Sequence, residues 1–164
     1  IENPVEMAAI FYVLNRTSFS GSTNSGGMSY KTGRFNENSI KRLRNFKCSN
    51  VEVLWKDAFD FLKGLVKINP KGKVIYLDTP YMIKNNLYGD KGNMHRNFNH
   101  QKLFEMIKIL DSLGWKIVLS YNKTDKIEQW YSDFNIIPLD WKYGANATKK
   151  SDEILITNRC NNEL

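Results

Sequence analysis

At 164 residues, with 41% hydrophobic and 13% aromatic content, the chain suits a single domain with one sizeable core and is not composed like a disordered segment. Nothing in it approaches the roughly 18 unbroken apolar residues of a membrane helix, so no membrane partner is expected. The net charge of +7 favours a polyanionic partner without specifying one.

The opening residues Ile1-Glu2-Asn3-Pro4 include neither an initiator methionine nor a charged stretch leading into an apolar run. The expectation is a piece of a longer protein, without a signal peptide. Cys48 and Cys160 lack CxxC spacing and histidine clusters nearby, so they read as free cytosolic thiols, with no metal site.

Along the chain, Pro4 stands just inside a helix start. Val5, Ala8, Ala9, Phe11, Tyr12 and Leu14 follow, which predicts a largely buried helix over 4–15. From 16 to 36 the composition changes to Ser, Thr, Asn and Gly with scattered aromatics. A loop of about twenty residues is uncommon inside a compact domain, and such loops are usually functional. Asn38 and Ser39 would cap a short basic helix over 40–46. Around it stand Lys31, Arg34, Lys41, Arg42, Arg44 and Lys47 against the single acid Glu37, with a second basic group at Lys142, Lys149 and Lys150. Such clusters attract phosphates by releasing counterions, or they form a charged helix that simply faces water; charge alone leaves both readings open.

Beyond position 50 the pattern is regular: a strand at 51–55, a helix at 57–66, a turn at 69–72 and an apolar strand at 73–77. An irregular segment over 79–97 precedes a helix with Leu103, Met106, Ile107, Leu110 and Leu113 on one face and Gly114 as its stop. A strand at 115–121, a helix at 124–132 and two closing strands at 135–139 and 153–157 complete it. This is α/β grammar with an antiparallel end to the sheet. Trp130 and Tyr131 read as core, and His95 and His100 as loop or helix-start residues.

The strand 73–77 runs into Asp78-Thr79-Pro80-Tyr81. Ligands of open α/β sheets sit at the carboxyl ends of strands, and Pro80 restricts Thr79 to an extended conformation. Such a turn sets a carboxylate, a backbone carbonyl and an aromatic ring in fixed positions. The two acceptors would bind the hydrogens of an exocyclic amine, freeing its lone pair to attack, while the ring stacks on the base. A base in duplex DNA must first leave the stack. The alternative is a turn that only ends a strand.

Several segments in order bear on that choice: Leu14-Asn15-Arg16-Thr17-Ser18-Phe19-Ser20-Gly21, Asp57-Ala58-Phe59, the turn itself, Leu87-Tyr88-Gly89, Phe98-Asn99-His100-Gln101-Lys102-Leu103, Leu119-Ser120-Tyr121-Asn122 and Lys149-Lys150-Ser151-Asp152-Glu153-Ile154-Leu155. Together they resemble the Dam-type adenine-specific DNA methyltransferases across nearly the whole chain. The resemblance implies a partial Rossmann-like, S-adenosylmethionine-dependent methyltransferase fold with a DNA-recognition insertion. Residues 1–15 would be a helix of the catalytic domain, 16–50 the target-recognition insertion and 51–164 the catalytic α/β portion.

The resemblance also implies roles. Asp78, Thr79, Pro80 and Tyr81 match the catalytic motif, usually Asp-Pro-Pro-Tyr; the departure at Thr79 leaves the backbone carbonyl in place. Asp57 and Asp78 would lie at the S-adenosylmethionine, although Asp57 suits a helix N-cap equally well. Phe19 and Ser20 would lie in a hairpin that enters DNA beside the target base, with Phe19 either wedging between base pairs or folding back onto its own domain. Arg16, Lys41, Arg42 and Arg44 would contact phosphates. GATC specificity does not carry over, because Thr23 and Asn24 stand where GATC-specific members place a basic residue.

The family's aromatic-x-Gly-x-Gly cofactor turn has no counterpart after a strand in this chain. The expected partners are therefore double-stranded DNA and an N-terminal segment of the same protein, in a bacterial or phage-type cytoplasmic setting. The expected reaction of the complete protein is methyl transfer to the amino group of adenine. The rivals are a catalytically silent DNA-binding remnant and a methyltransferase for another planar amine, such as that of cytosine or a protein glutamine.

Overall fold

The structure, a computed structural model, describes residues 3–18, 33–82, 97–139 and 152–158. Two units of unequal content emerge: Ile1–Leu54 with Asn85–Asn93, and Trp55–Lys84 with Met94–Leu164.

The first unit contains α1 (Pro4–Thr17) and α2 (Glu37–Asn45). Asn3 caps α1 by accepting from the Val5 amide at 2.9 Å, and Pro4 occupies the first turn, where a missing amide hydrogen costs nothing. The expected burial of this helix does not hold. Val5, Phe11 and Met7 are more than half exposed, and only Thr17 within α1 is buried. The apolar side chains at 5, 7, 10, 11, 13 and 14 surround the helix, so no single neighbouring surface can cover them all. Among the described residues, the Tyr12 hydroxyl donates to the Ser39 carbonyl at 2.8 Å and its ring meets Phe35 edge-on. The cap of α2 falls two residues before the expected one. Asn36 and Ser39 form a reciprocal capping box, which satisfies two terminal donors where Asn38-Ser39 would satisfy one.

The predicted strand at 51–55 is also absent: these residues form no ladder, and Val53 is 88% exposed. An apolar alternation makes a strand only where a neighbouring strand accepts its hydrogen bonds, and none among the described residues does so.

The second unit follows the expected order: α3 (Ala58–Leu65), β1 (Val74–Asp78), α4 (His100–Ser112), β2 (Lys116–Asn122), α5 (Asp125–Trp130), β3 (Asn135–Pro138) and β4 (Glu153–Thr157). The sheet order is β1-β2-β4-β3; β1 and β2 are parallel, and β4 runs antiparallel to both β2 and β3. Gly72, with φ of 72°, closes the Pro70–Lys73 turn into β1. Gly114, with φ of 85°, ends α4 in a Schellman arrangement: Trp115 N–H donates to Leu110 O and Gly114 N–H to Asp111 O.

Register fixes which face is buried. Ile75 and Leu77 of β1 stand beside Ile117 and Leu119 of β2, and Leu119 and Tyr121 beside Ile156 and Ile154 of β4. This face meets Leu62 and Leu65 of α3, Leu103, Ile107 and Leu110 of α4, and Ile127 of α5 in one core. Tyr131, just beyond α5, is buried there as the pattern predicts. On the opposite face, Val74 and Tyr76 of β1 are each 61% exposed. Among the described residues β1 is also an edge strand. None of the described helices is long and apolar enough to cross a membrane.

Candidate active site

β1 delivers Asp78 to the carboxyl end of the sheet, and Thr79, Pro80, Tyr81 and Met82 follow it without regular secondary structure. Asp78 is exposed, whereas Thr79 is 6% exposed and Pro80 and Tyr81 are half-buried. The chain thus offers its carboxylate outward from an anchored base.

The anchoring comes from β2. Parallel pairing puts Ser120 beside Asp78. The Ser120 hydroxyl donates to Asp78 Oδ1 at 3.1 Å, with the Leu77 carbonyl an alternative acceptor at 3.4 Å. The Thr79 hydroxyl donates to the Ser120 carbonyl at 2.8 Å, a buried bond. Two residues on, Asn122 Oδ1 accepts from the Met82 amide at 2.8 Å, and its Nδ2 donates back to the Met82 carbonyl at 3.3 Å. A proline at position 79 could not make the bond to the Ser120 carbonyl.

Tyr121, between these two residues, points to the buried face. Its hydroxyl meets His100 Nδ1. Burial pushes the Tyr121 hydroxyl well above the usual phenol range, against the smaller opposing effect of Thr79. Burial, helped by the Lys126 charge, lowers His100 below its ordinary 6.5. Both directions favour a neutral pair in which Tyr121 donates to the imidazole.

Asp57 serves as the N-cap of α3: Oδ1 accepts from the amides of Phe59 and Asp60 at 2.9 and 3.2 Å. The residue remains exposed. From its helix an aromatic wall leads to the turn. Phe59 stacks on Phe98 at 5.5 Å, Phe98 meets His100 edge-on at 4.9 Å, and His100 bonds Tyr121. The two ends of the predicted site thus belong to one packed structure.

Of the predicted DNA-contacting residues, Phe19 and Ser20 lie outside the described residues, as do Lys142, Lys149 and Lys150. In the first unit Arg16 Nε donates to the Arg34 carbonyl at 3.1 Å, and the Arg34 guanidinium donates to the Ser18 carbonyl. This ties the end of α1 to the segment entering α2. Lys41, Arg42 and Arg44 are exposed, and no ion pair among the described residues holds them. Asn38, Lys41, Arg42, Asn45, Phe46 and Lys47 line an open hollow on α2.

Sequence reasoning recognised the segment 119–122 but assigned it no role. The available signal was a serine and an asparagine ending an otherwise apolar strand, beside the strand that carries the turn.

A family model described as D12 class N6 adenine-specific DNA methyltransferase matches residues 4–145. The chain is also 32% identical over 106 residues to the Type II methyltransferase M1.LlaDCHI of Lactococcus lactis subsp. cremoris; the match covers 60% of this chain and 37% of that protein. The chain therefore spans well under half the length of the curated relative it matches. With the match covering most of the chain, and the Asp-Thr-Pro-Tyr turn at the carboxyl end of a parallel strand, the chain belongs to the family of D12 class N6 adenine-specific DNA methyltransferases.

Proposed function

We propose that the complete protein transfers a methyl group from S-adenosylmethionine to the exocyclic amino group of adenine in double-stranded DNA. One observation carries this reading: an exposed Asp78 carboxylate beside a buried, hydrogen-bonded Thr79, in a chain of this family.

S-adenosylmethionine supplies the methyl group when bound. Asp57 fits an acidic contact to it, since the residue is exposed and its Oδ1 alone makes the capping bonds. The glycine turn expected around the methionine moiety is not in this chain, so Asp57 and Asp78 would supply only part of the site. Asp78 and the Thr79 carbonyl accept the two hydrogens of the target amine, and Tyr81 stacks on the extruded base. The freed lone pair would form the new N–C bond as the donor's bond between sulfur and methyl breaks, leaving a neutral thioether. The amine proton, acidic once the nitrogen is methylated, leaves without a strong base.

The insertion over 16–50 reads the DNA, with Phe19 and Ser20 beside the target base and Arg16, Lys41, Arg42 and Arg44 on phosphates. Exposed cations on α2, in no ion pair among the described residues, support that role. The remaining fold is Rossmann-like, completed by an N-terminal segment of the same protein. Its support is the open edge and exposed face of β1, a parallel strand of the kind normally covered on both sides. The similarity to a Type II methyltransferase favours a restriction-modification setting in a bacterial or phage-type cytoplasm.

The test is transfer of labelled methyl from S-adenosylmethionine to unmethylated duplex DNA, by this chain with and without the preceding segment. Label only with that segment, and none in Asp78→Ala, supports the proposal. Intact DNA binding without label under either condition would leave a DNA-binding remnant.

A further inference from the structure

We propose that Ser120 and Asn122 of β2 are positioning residues that hold the Asp78–Tyr81 turn in its reactive geometry. The inference rests on the methyl-transfer reading above and extends it to two residues outside the turn.

Strand alternation places residues two apart on the same side, and the parallel register brings that side of β2 to the end of β1. Ser120 acts twice. Its hydroxyl engages Asp78 Oδ1 at 3.1 Å, leaving Oδ2 without a bond from a described residue, and its carbonyl receives the Thr79 hydroxyl at 2.8 Å. Asn122 closes the far end. Its carboxamide accepts from the Met82 amide at 2.8 Å and donates to the Met82 carbonyl at 3.3 Å. It continues the strand pairing beyond the last ladder bond, with a side chain in place of backbone.

Between these anchors lie Pro80 and Tyr81, the ring expected to stack on the base. Freed at Met82, the segment would keep its sequence and lose its fixed exit direction. A displacement of about 1 Å at reacting groups can cost on the order of 100-fold in rate. Binding of either substrate through its remote contacts would change little.

The experiment uses the complete protein and four variants, Asn122→Ala, Ser120→Ala, Ser120→Thr and Asp78→Ala, each checked for an unchanged near-ultraviolet circular dichroism spectrum. Steady-state methyl transfer is read together with hydrogen exchange at the Met82 amide. The expected result for Asn122→Ala is a kcat fall of about 10- to 100-fold with both KM values within about twofold, and faster exchange at Met82. Ser120→Ala should lower kcat about tenfold, and Ser120→Thr, which restores the hydroxyl, should recover most of it. Wild-type kcat in both alanine variants, or Met82 exchange unchanged in Asn122→Ala, would overturn the proposal. If Asn122→Ala loses its fold, Ser120→Ala against Ser120→Thr decides. A complete protein that transfers no methyl group would instead sink the methyl-transfer reading, and Met82 exchange would still decide whether the clamp exists.

Discussion

The two units place their apolar residues oppositely. Every buried apolar side chain among the described residues belongs to the unit containing the sheet, where Ile107, Leu110, Tyr121 and Ile127 are fully enclosed. In the other unit the buried side chains are Thr17, Ser18 and Ser39, while Val5, Phe11, Phe46 and Val53 face outward. A catalytic geometry has to be held to fractions of an ångström, which takes a packed core and satisfied hydrogen bonds. A surface that meets DNA requires accessible side chains and orientation, and it can draw order from its partner. The difference in packing thus matches the difference in proposed work.

That contrast can be broken or sharpened by experiment. The largest effect should come from Asp78→Ala, which removes an acceptor from the reacting amine: kcat should fall at least about 100-fold. The melting temperature should stay near that of the parent protein, because the side chain is exposed. Methyl-transfer kinetics and calorimetry on one preparation would check both halves.

Next, Ile107→Ala should destabilise the sheet-containing unit by about 2–5 kcal/mol, the usual cost of a buried cavity. Phe11→Ala, at an exposed position in the other unit, should change stability by less than about 0.5 kcal/mol. Equal costs in denaturant melts would mean that α1 is covered in solution.

The triple substitution of Lys41, Arg42 and Arg44 by Ala should weaken duplex binding and reduce the log-log salt slope by about 0.9 for each phosphate that is no longer neutralised. The melting temperature should be unaffected. An unchanged slope would return α2 to the role of a charged helix facing water.

The smallest effect concerns pH. Because His100 titrates lower in the folded protein than its ordinary 6.5, the unfolded chain binds the proton first as pH falls. Its contribution to stability is therefore present above about 6.5 and is lost as pH falls toward the folded value. His100→Asn should flatten that part of the stability profile, as measured by the difference between parent and variant from pH 7.5 to 5 in denaturant melts.

The regular part of the fold was legible because its signals are local. Leu103, Ile107 and Leu110 recur at helical spacing, Gly114 supplies the stop, and β1 and β2 are short apolar runs bounded by turn residues. The errors occurred where the outcome depends on neighbours. The residues at 51–55 have a strand's composition and no partner strand among those described, and α1 has apolar residues on all sides, several of them exposed. In the site, Asp78 and Thr79 were readable from the turn. The bonds from Ser120 and Asn122 were not, since they join positions about 40 residues apart through a register fixed only by sheet pairing.

The most direct test is nucleoside mass analysis of unmethylated duplex DNA after incubation with the complete protein and S-adenosylmethionine. N6-methyladenine is expected as the sole methylated base, and none with Asp78→Ala. N4-methylcytosine, or an undiminished yield from Asp78→Ala, would contradict it.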